Sequence, residues 1–216
     1  MLKHIFSNTR KPRKSASGSF ILWSMNIGHD KLTKWGLSLA NFGDKKAVLD
    51  VGCGGGKNIS NLLSLAPAAT VYGADYSEAS VEKSRKFNRK GIKDGRVKIF
   101  HAGVSNLPFE DESFDAVTAF ETVYFWPDLN ENFREIYRIL KTSGIFLVCN
   151  EIASENEAEK WMKYIDMSAH TKIQIADYMK NAGFSDINMH EKAGRGICVT
   201  GIKANNSILE SDACPE

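Results

Sequence analysis

The stretch Val48-Leu49-Asp50-Val51-Gly52-Cys53-Gly54-Gly55-Gly56-Lys57-Asn58 decides the fold. Its opening residues read as a buried strand, the glycines as a tight turn, and the residues from Lys57 onward as a helix. Four glycines in five positions allow positive φ and let a ligand approach a backbone without side chains. The first turn of the following helix presents unpaired N–H groups to whatever sits on the loop. The pattern therefore predicts a cofactor site at the carboxyl end of a central strand.

Two familiar glycine loops are excluded by spacing. A dinucleotide fingerprint, Gly-x-Gly-x-x-Gly/Ala, counted from Gly52 needs its third glycine where Lys57 stands. A phosphate loop ending on Gly56-Lys57 needs glycine at Val51 and Ser or Thr at Asn58. What remains is Asp-Val-Gly-x-Gly-x-Gly, with Asp75 closing the next expected strand. A carboxylate there suits a ribose diol, which offers it two donors.

With these marks the chain resembles the class I S-adenosylmethionine-dependent methyltransferases, in their small-molecule, methyltransferase type 11 or ubiquinone/menaquinone-type branch. The resemblance runs over about residues 25–203. It is carried by 48–58, Tyr72-Gly73-Ala74-Asp75-Tyr76-Ser77, Leu107-Pro108-Phe109 with Ser113-Phe114-Asp115, Arg134 to Lys141, and Ala182-Gly183-Phe184. It implies a single Rossmann-like, doubly wound α/β domain. Its seven-stranded, mostly parallel sheet would have an antiparallel C-terminal edge and helices on both faces.

The resemblance also implies S-adenosyl-L-methionine as cofactor and S-adenosyl-L-homocysteine as product. Gly52, Gly54 and Gly56 would shape the turn around the methionyl part. Asp50 would support the loop and meet the ammonium group through water, and the Phe120 carbonyl would face that group. Asp75 would take the ribose hydroxyls, Tyr76 would pack on adenine, and Val104 and Ser105 would flank its edge. Where the family commonly has Asp-Ala, this chain has Gly103-Val104. An acid that could accept from the adenine amino group is missing, so Ser105, Asn106, a backbone carbonyl or apolar stacking takes that role.

The acceptor side is expected after the fourth strand, at Glu121-Thr122-Val123-Tyr124-Phe125-Trp126-Pro127. Three aromatics there either form a wall that attracts and desolvates a sulfonium cation or belong to the core under the next helix. A general base is needed only if the nucleophile must lose a proton. His29, Glu121 and Glu151 are the candidate bases, His29, Glu121 and Tyr124 the candidate catalytic residues, and Glu151 is also expected to line the acceptor pocket. The expected partner is a small, apolar or aromatic methyl acceptor.

Composition sets the remaining bounds. The 216 residues are 43% hydrophobic with a net charge of +2, enough for one domain with an ordinary core. Residues 1–19 carry Lys3, Arg10, Lys11, Arg13 and Lys14 and read as a flexible basic tail, with no basic groove expected elsewhere. Residues 20–203 form the domain, led by a cap helix at about 30–41, and 204–216 a polar tail. Phe20-Ile21-Leu22-Trp23 is too short for a signal core or a membrane span. Cys53, Cys149, Cys198 and Cys214 lack metal-site spacing, so no metal is expected, and reduced thiols fit a cytoplasmic protein. A monomer or homodimer is expected.

The rest of the chain alternates strand and helix. Strands are expected at 47–51, 70–74, 97–100, 115–120, 145–150, 187–191 and 197–203. Helices are expected at 57–66, from Ser77 to about Arg89 with Gly91 as its stop, and at 129–140, 154–168 and 171–181. Three other functions share parts of this pattern. An NAD-dependent oxidoreductase would need different glycine spacing. A nucleic-acid amino-methyltransferase would carry Asn/Asp-Pro-Pro-Tyr where Phe120-Glu121-Thr122-Val123 stands. A non-catalytic cofactor-binding module would look the same.

Overall fold

The computed structural model describes residues 30–152, 154–163, 166–193 and 196–204. His29, both tails and the residues that precede the cap helix lie outside them.

Among the described residues the first element is α1 (Asp30–Leu37), shorter than the cap helix expected at about 30–41. Then β1 (Ala47–Val51), α2 (Lys57–Leu65), β2 (Thr70–Asp75), α3 (Glu78–Phe87), α4 (Arg89–Lys93) and β3 (Val97–His101) alternate. They are followed by β4 (Phe114–Phe120), a 3-10 turn at Val123–Phe125, α5 (Leu129–Ile139), β5 (Leu140–Asn150), α6 (Glu155–Met162) and α7 (Lys172–Asn181). Finally β6 (Phe184–Lys192) and β7 (Gly196–Lys203) form a hairpin.

The seven strands make one sheet in the order β3-β2-β1-β4-β5-β7-β6. The first five are mutually parallel, and β7 runs antiparallel between β5 and β6. Strand alternation divides the core. Leu49, Val51, Val117, Phe146 and Val148 pack under α5 and α7 through Phe133, Ile136, Ile175 and Met179. Val48, Val71, Ala116, Leu147 and Cys149 pack on the other face under α1 and α2 through Leu32, Leu37, Ile59 and Leu62. Burial on both faces explains why these strands read as continuous apolar runs. The fold is the doubly wound sheet that the sequence implies.

Several boundaries differ. Gly91 is not a helix stop but lies within α4, where a Cβ would come 2.7 Å from Val97 Cγ2 and 3.2 Å from Leu63 Cδ1. Close packing requires glycine there, and the chain turns at Gly95, whose φ is +73°. Residues 141–144 join β5 rather than forming a loop, with a register shift in the ladder between Phe114 and Ala116. The helix expected over 154–168 covers only Glu155–Met162.

Among the described residues no helix is long and apolar enough to cross a membrane. α1 sits very close to the sheet: a Cβ on Gly36 would lie 2.8 Å from Cys149 Sγ and 2.9 Å from Phe120 Cε1. Cys149 and Cys198 are directly opposite each other on β5 and β7, and both are free, buried thiols.

Candidate active site

The carboxyl ends of β1, β2 and β4 open into a cavity of about 360 Å³. This is where an open α/β sheet binds ligands, beside the point at which strand order reverses. Its floor is the β1–α2 loop. Gly52 and Gly54 adopt φ of +75° and +50°, a region that favours glycine. A Cβ at Gly54 would meet nothing nearer than the Gly52 carbonyl oxygen at 4.0 Å, leaving open space above the loop. Gly56, also left-handed at +82°, faces away from the cavity. A Cβ there would lie 2.4 Å from Ser84 Oγ and 2.5 Å from Asn88 Nδ2, so it serves the seating of α2 on α3.

Two buried carboxyls frame the loop. Asp75 Oδ2 accepts from the Gly54 N–H at 2.9 Å and Oδ1 from the Ser77 N–H at 2.8 Å. The Ser80 side chain is a third donor to this carboxylate, which leaves one of its roughly four lone-pair sites for a ligand. Burial pushes its pKa up against the opposing pull of these N–H donors. Asp50 Oδ1 accepts from Asn58 Nδ2 and Thr118 Oγ1, each at 2.7 Å. Burial raises its pKa to about 7.

The nucleobase end expected from the sequence is lined by Tyr76, Ala102, Gly103, Val104 and Ser105. Ser105 Oγ donates to Asn132 Oδ1 at 2.9 Å, so α5 fixes its direction. A Cβ at Gly103 would approach only Tyr76 Cβ, at 3.9 Å, and the space where the family has an acid is open.

The opposite wall is built by Phe120, Glu121, Thr122, Phe125, Trp126 and Pro127. Glu121 holds a left-handed φ of +56°, unusual for a residue with a side chain. Its carboxylate accepts from the Glu151 N–H and, at 3.4 Å to each oxygen, from the Tyr124 hydroxyl. Burial raises its pKa to about 8, with the nearby Glu151 charge adding in the same direction. Tyr124 is itself buried behind the wall rather than lining the cavity, and its oxygen accepts from the Ile152 N–H at 3.0 Å. Burial and the Glu121 charge push its phenol well above the usual range. Trp126 meets both readings of the aromatic loop. It lines the cavity, and it also stacks on Phe146 with an interplanar angle of 7° and donates through Nε1 to Thr122.

The structure thus brings Asp50, Gly52, Gly54, Asp75, Tyr76, Val104, Ser105, Phe120 and Glu121 to one cavity. It sets Gly56 and Tyr124 just outside it. Among the cavity residues with no assigned role in the sequence are Asp30 and Thr33 on α1, Lys57 and Asn58 at the start of α2, and Ser80 on α3. Asn58 was legible, because the first turn after a strand–glycine loop points back at the strand end. Asp30 and Thr33 were not, because which face of α1 meets the cavity is a tertiary fact. Among the described residues no group of three or more His, Cys, Asp or Glu side chains is placed to hold a metal ion.

Comparison with known proteins agrees with this geometry. Residues 49–148 match the family model described as a methyltransferase domain. A sterol methyltransferase-like protein of Botryococcus braunii is 30% identical over 152 residues, which are 70% of this chain and 38% of that protein. The chain spans 34–43% of the length of several curated relatives that it matches. Two solved structures share the fold, each at a TM-score of 0.70. One is a geranyl diphosphate C-methyltransferase from Streptomyces coelicolor bound to Mg2+, geranyl diphosphate and S-adenosyl-L-homocysteine, at 13% identity over 88% of this chain and 85% of the other. The second is the [4+2]-cyclase SpnF, at 20% identity over 81% and 80% of the two chains.

Proposed function

We propose, for a chain that carries a methyltransferase domain on the class I S-adenosylmethionine-dependent fold, that it transfers a methyl group from S-adenosyl-L-methionine to a small-molecule acceptor. The observation that carries the reading is the buried Asp75 carboxylate. It is tied to the Gly54 N–H beside a glycine loop whose ligand side is open. The residues fit the cofactor. Asp75 takes the ribose hydroxyls, and Gly52 and Gly54 let the methionyl part lie on the loop, which Gly56 helps to shape. Asp50 and the Phe120 carbonyl serve the ammonium end. Tyr76, Val104 and Ser105 hold the adenine. With Gly103 in place of an acid, that hold is chiefly apolar.

Bound there, S-adenosyl-L-methionine supplies a methyl group already activated by its sulfonium charge, and leaves as S-adenosyl-L-homocysteine. The chain's own task is to orient the acceptor and exclude water, and orientation of this kind is worth up to about 7–11 kcal/mol of barrier. Phe125 and Trp126 give the wall an apolar, aromatic surface, which supports an apolar or aromatic acceptor. Glu121 is the acid–base residue: its carboxylate takes the proton that an acceptor O–H or N–H must lose, and Tyr124 holds it in place. A non-gly residue in a strained backbone conformation at a cavity wall supports a functional role. The SpnF likeness is a reminder that the fold alone does not choose the chemistry.

The deciding experiment is calorimetric titration with S-adenosyl-L-methionine, S-adenosyl-L-homocysteine and NADH, repeated on Asp75→Ala. Saturable binding of both sulfur nucleosides, lost in the variant, is the expected result. Binding of NADH instead would return the site to an oxidoreductase. Binding without methyl release to any acceptor panel would favour a non-catalytic module.

A further inference from the structure

A second feature of the molecule lies away from the cavity. Residues 83–98, Lys-Ser-Arg-Lys-Phe-Asn-Arg-Lys-Gly-Ile-Lys-Asp-Gly-Arg-Val-Lys, hold eight basic residues and one acid in a chain whose net charge is only +2. Some of these cations are used by the fold. Arg85 donates to the Ile99 carbonyl, Arg96 to the carbonyls of Ala66 and Ala69, and Lys98 stands over the Tyr72 ring. Lys86, Arg89, Lys90 and Lys93 are not. All four are exposed, and among the described residues none has a carboxylate within ion-pair distance.

The same surface carries apolar side chains that face water. Phe87 is 47% exposed and Ile92 37% exposed, while the opposite face of α3 is buried through Ser80, Val81 and Ser84. Two hydrocarbon groups among four unpaired cations are costly to display unless something covers them. The face lies at the outer edge of the sheet, next to β3, and Gly91 packs against Val97 where β3 begins. The cavity is at the other end of α3, where Ser80 lines it.

We propose that the α3–α4 face is a docking surface for anionic phospholipid membranes, with the cations on the headgroups and Phe87 and Ile92 entering the acyl boundary. A cluster of four cations on an amphipathic surface is of the size that reads anionic lipid. The exposed aromatic and aliphatic side chains select lipid over a phosphate backbone, which offers no hydrocarbon to receive them. The proposal does not depend on the methyl-transfer reading.

The test is flotation of the full chain with vesicles of phosphatidylcholine alone and of phosphatidylcholine doped with phosphatidylserine. The chain is compared with the quadruple variant Lys86→Glu, Arg89→Glu, Lys90→Glu, Lys93→Glu, and with Phe87→Ser/Ile92→Ser. Circular dichroism and cofactor titration serve as controls that each variant is folded. The expected result is binding only to the anionic vesicles, weakened on the order of a hundredfold or more by the charge reversals and more modestly by the double serine variant. Undiminished binding of the quadruple variant would move the activity to the basic first segment and overturn the proposal. So would equal binding to neutral vesicles, absence of binding, or tighter retention by duplex RNA than by the anionic vesicles.

Discussion

Thr122 occupies the space into which a side chain at Gly52 would have to grow: a Cβ there would lie 2.1 Å from Thr122 Oγ1 and 2.7 Å from Thr122 Cβ. The loop after β1 and the loop after β4 are therefore locked together, and the floor and one wall of the cavity move as a unit. Gly54, two residues on, has no such neighbour.

The two glycines should accordingly fail in different ways. Gly52→Ala combines a positive φ with a collision and should cost about 3 kcal/mol or more of stability. Gly54→Ala should cost only about 1 kcal/mol, from its left-handed backbone, yet weaken S-adenosyl-L-homocysteine binding at least about tenfold, since its methyl group projects into the ligand's space. Urea denaturation and calorimetry on the two variants separate these effects. Comparable ligand affinity in Gly54→Ala and wild type would remove that glycine from the cofactor's path.

The pH dependence of stability follows from Glu121. Its folded pKa, about 8, lies above the ordinary value of 4.5. Between these limits the folded chain keeps a proton that the unfolded chain releases. Stability is therefore greatest below the lower value and falls as pH rises through the upper one, by at most about 1.4 kcal/mol per pH unit for one group. Partial solvent access makes the real slope smaller. Asp50 adds a second falling segment between 3.8 and about 7. Glu121→Gln should flatten the alkaline part of the curve, as read by thermal melts from pH 5 to pH 9. An unchanged slope would mean that Glu121 titrates normally.

Activity should carry the opposite sign. A carboxylate that takes the acceptor's proton works only when ionised, so the rate should climb through about pH 8 and lose that limb in Glu121→Gln. Persistence of the limb in the variant would place the titrating group elsewhere.

Tyr124 tests whether positioning matters. Tyr124→Phe removes the acceptor of the Ile152 N–H and one donor to Glu121. It should cost about 1–2 kcal/mol of stability and lower kcat more than it raises KM, because the residue stands behind the wall. A change in KM alone would put Tyr124 in contact with the acceptor instead.

Trp126 provides an optical reporter. Its ring lines the cavity while stacking on Phe146, so ligand binding should change the protein's fluorescence. Trp126→Phe should abolish much of that change while calorimetric affinity shifts by no more than a few-fold. A full signal in the variant would assign it to another tryptophan.

The sequence made the fold legible because two neighbouring buried strands end on recognisable residues: Gly52 follows β1 and Asp75 closes β2. The glycine loop and Asp75 could be found together because strand period and loop chemistry are local. Other features are not local. The left-handed backbone of Glu121 depends on being held by the Glu151 N–H, thirty positions away. The difference between Gly54, open to ligand, and Gly56, pressed on Ser84, depends on where α3 crosses. The basic run at 83–98 is local in sequence, but which of its cations are used is not. Only tertiary structure shows that Arg85 and Arg96 are consumed by backbone carbonyls while their neighbours stay free.

Gly36 sets the headroom of the site. With a hydrogen where any other residue has carbon, α1 rests directly on Cys149 and Phe120, and Thr33 and Asp30 are lowered onto the cavity. The ceiling is thereby pinned from above, at the height of one missing methyl group. Enlarging the chamber for a bulkier acceptor cannot proceed by raising that helix without unroofing a buried thiol. It has to proceed sideways, through the stretch between β5 and α7. There Ala158, Met167 and Ala169 pack with Tyr124, from the turn after β4, in a small cluster separate from the two faces of the sheet.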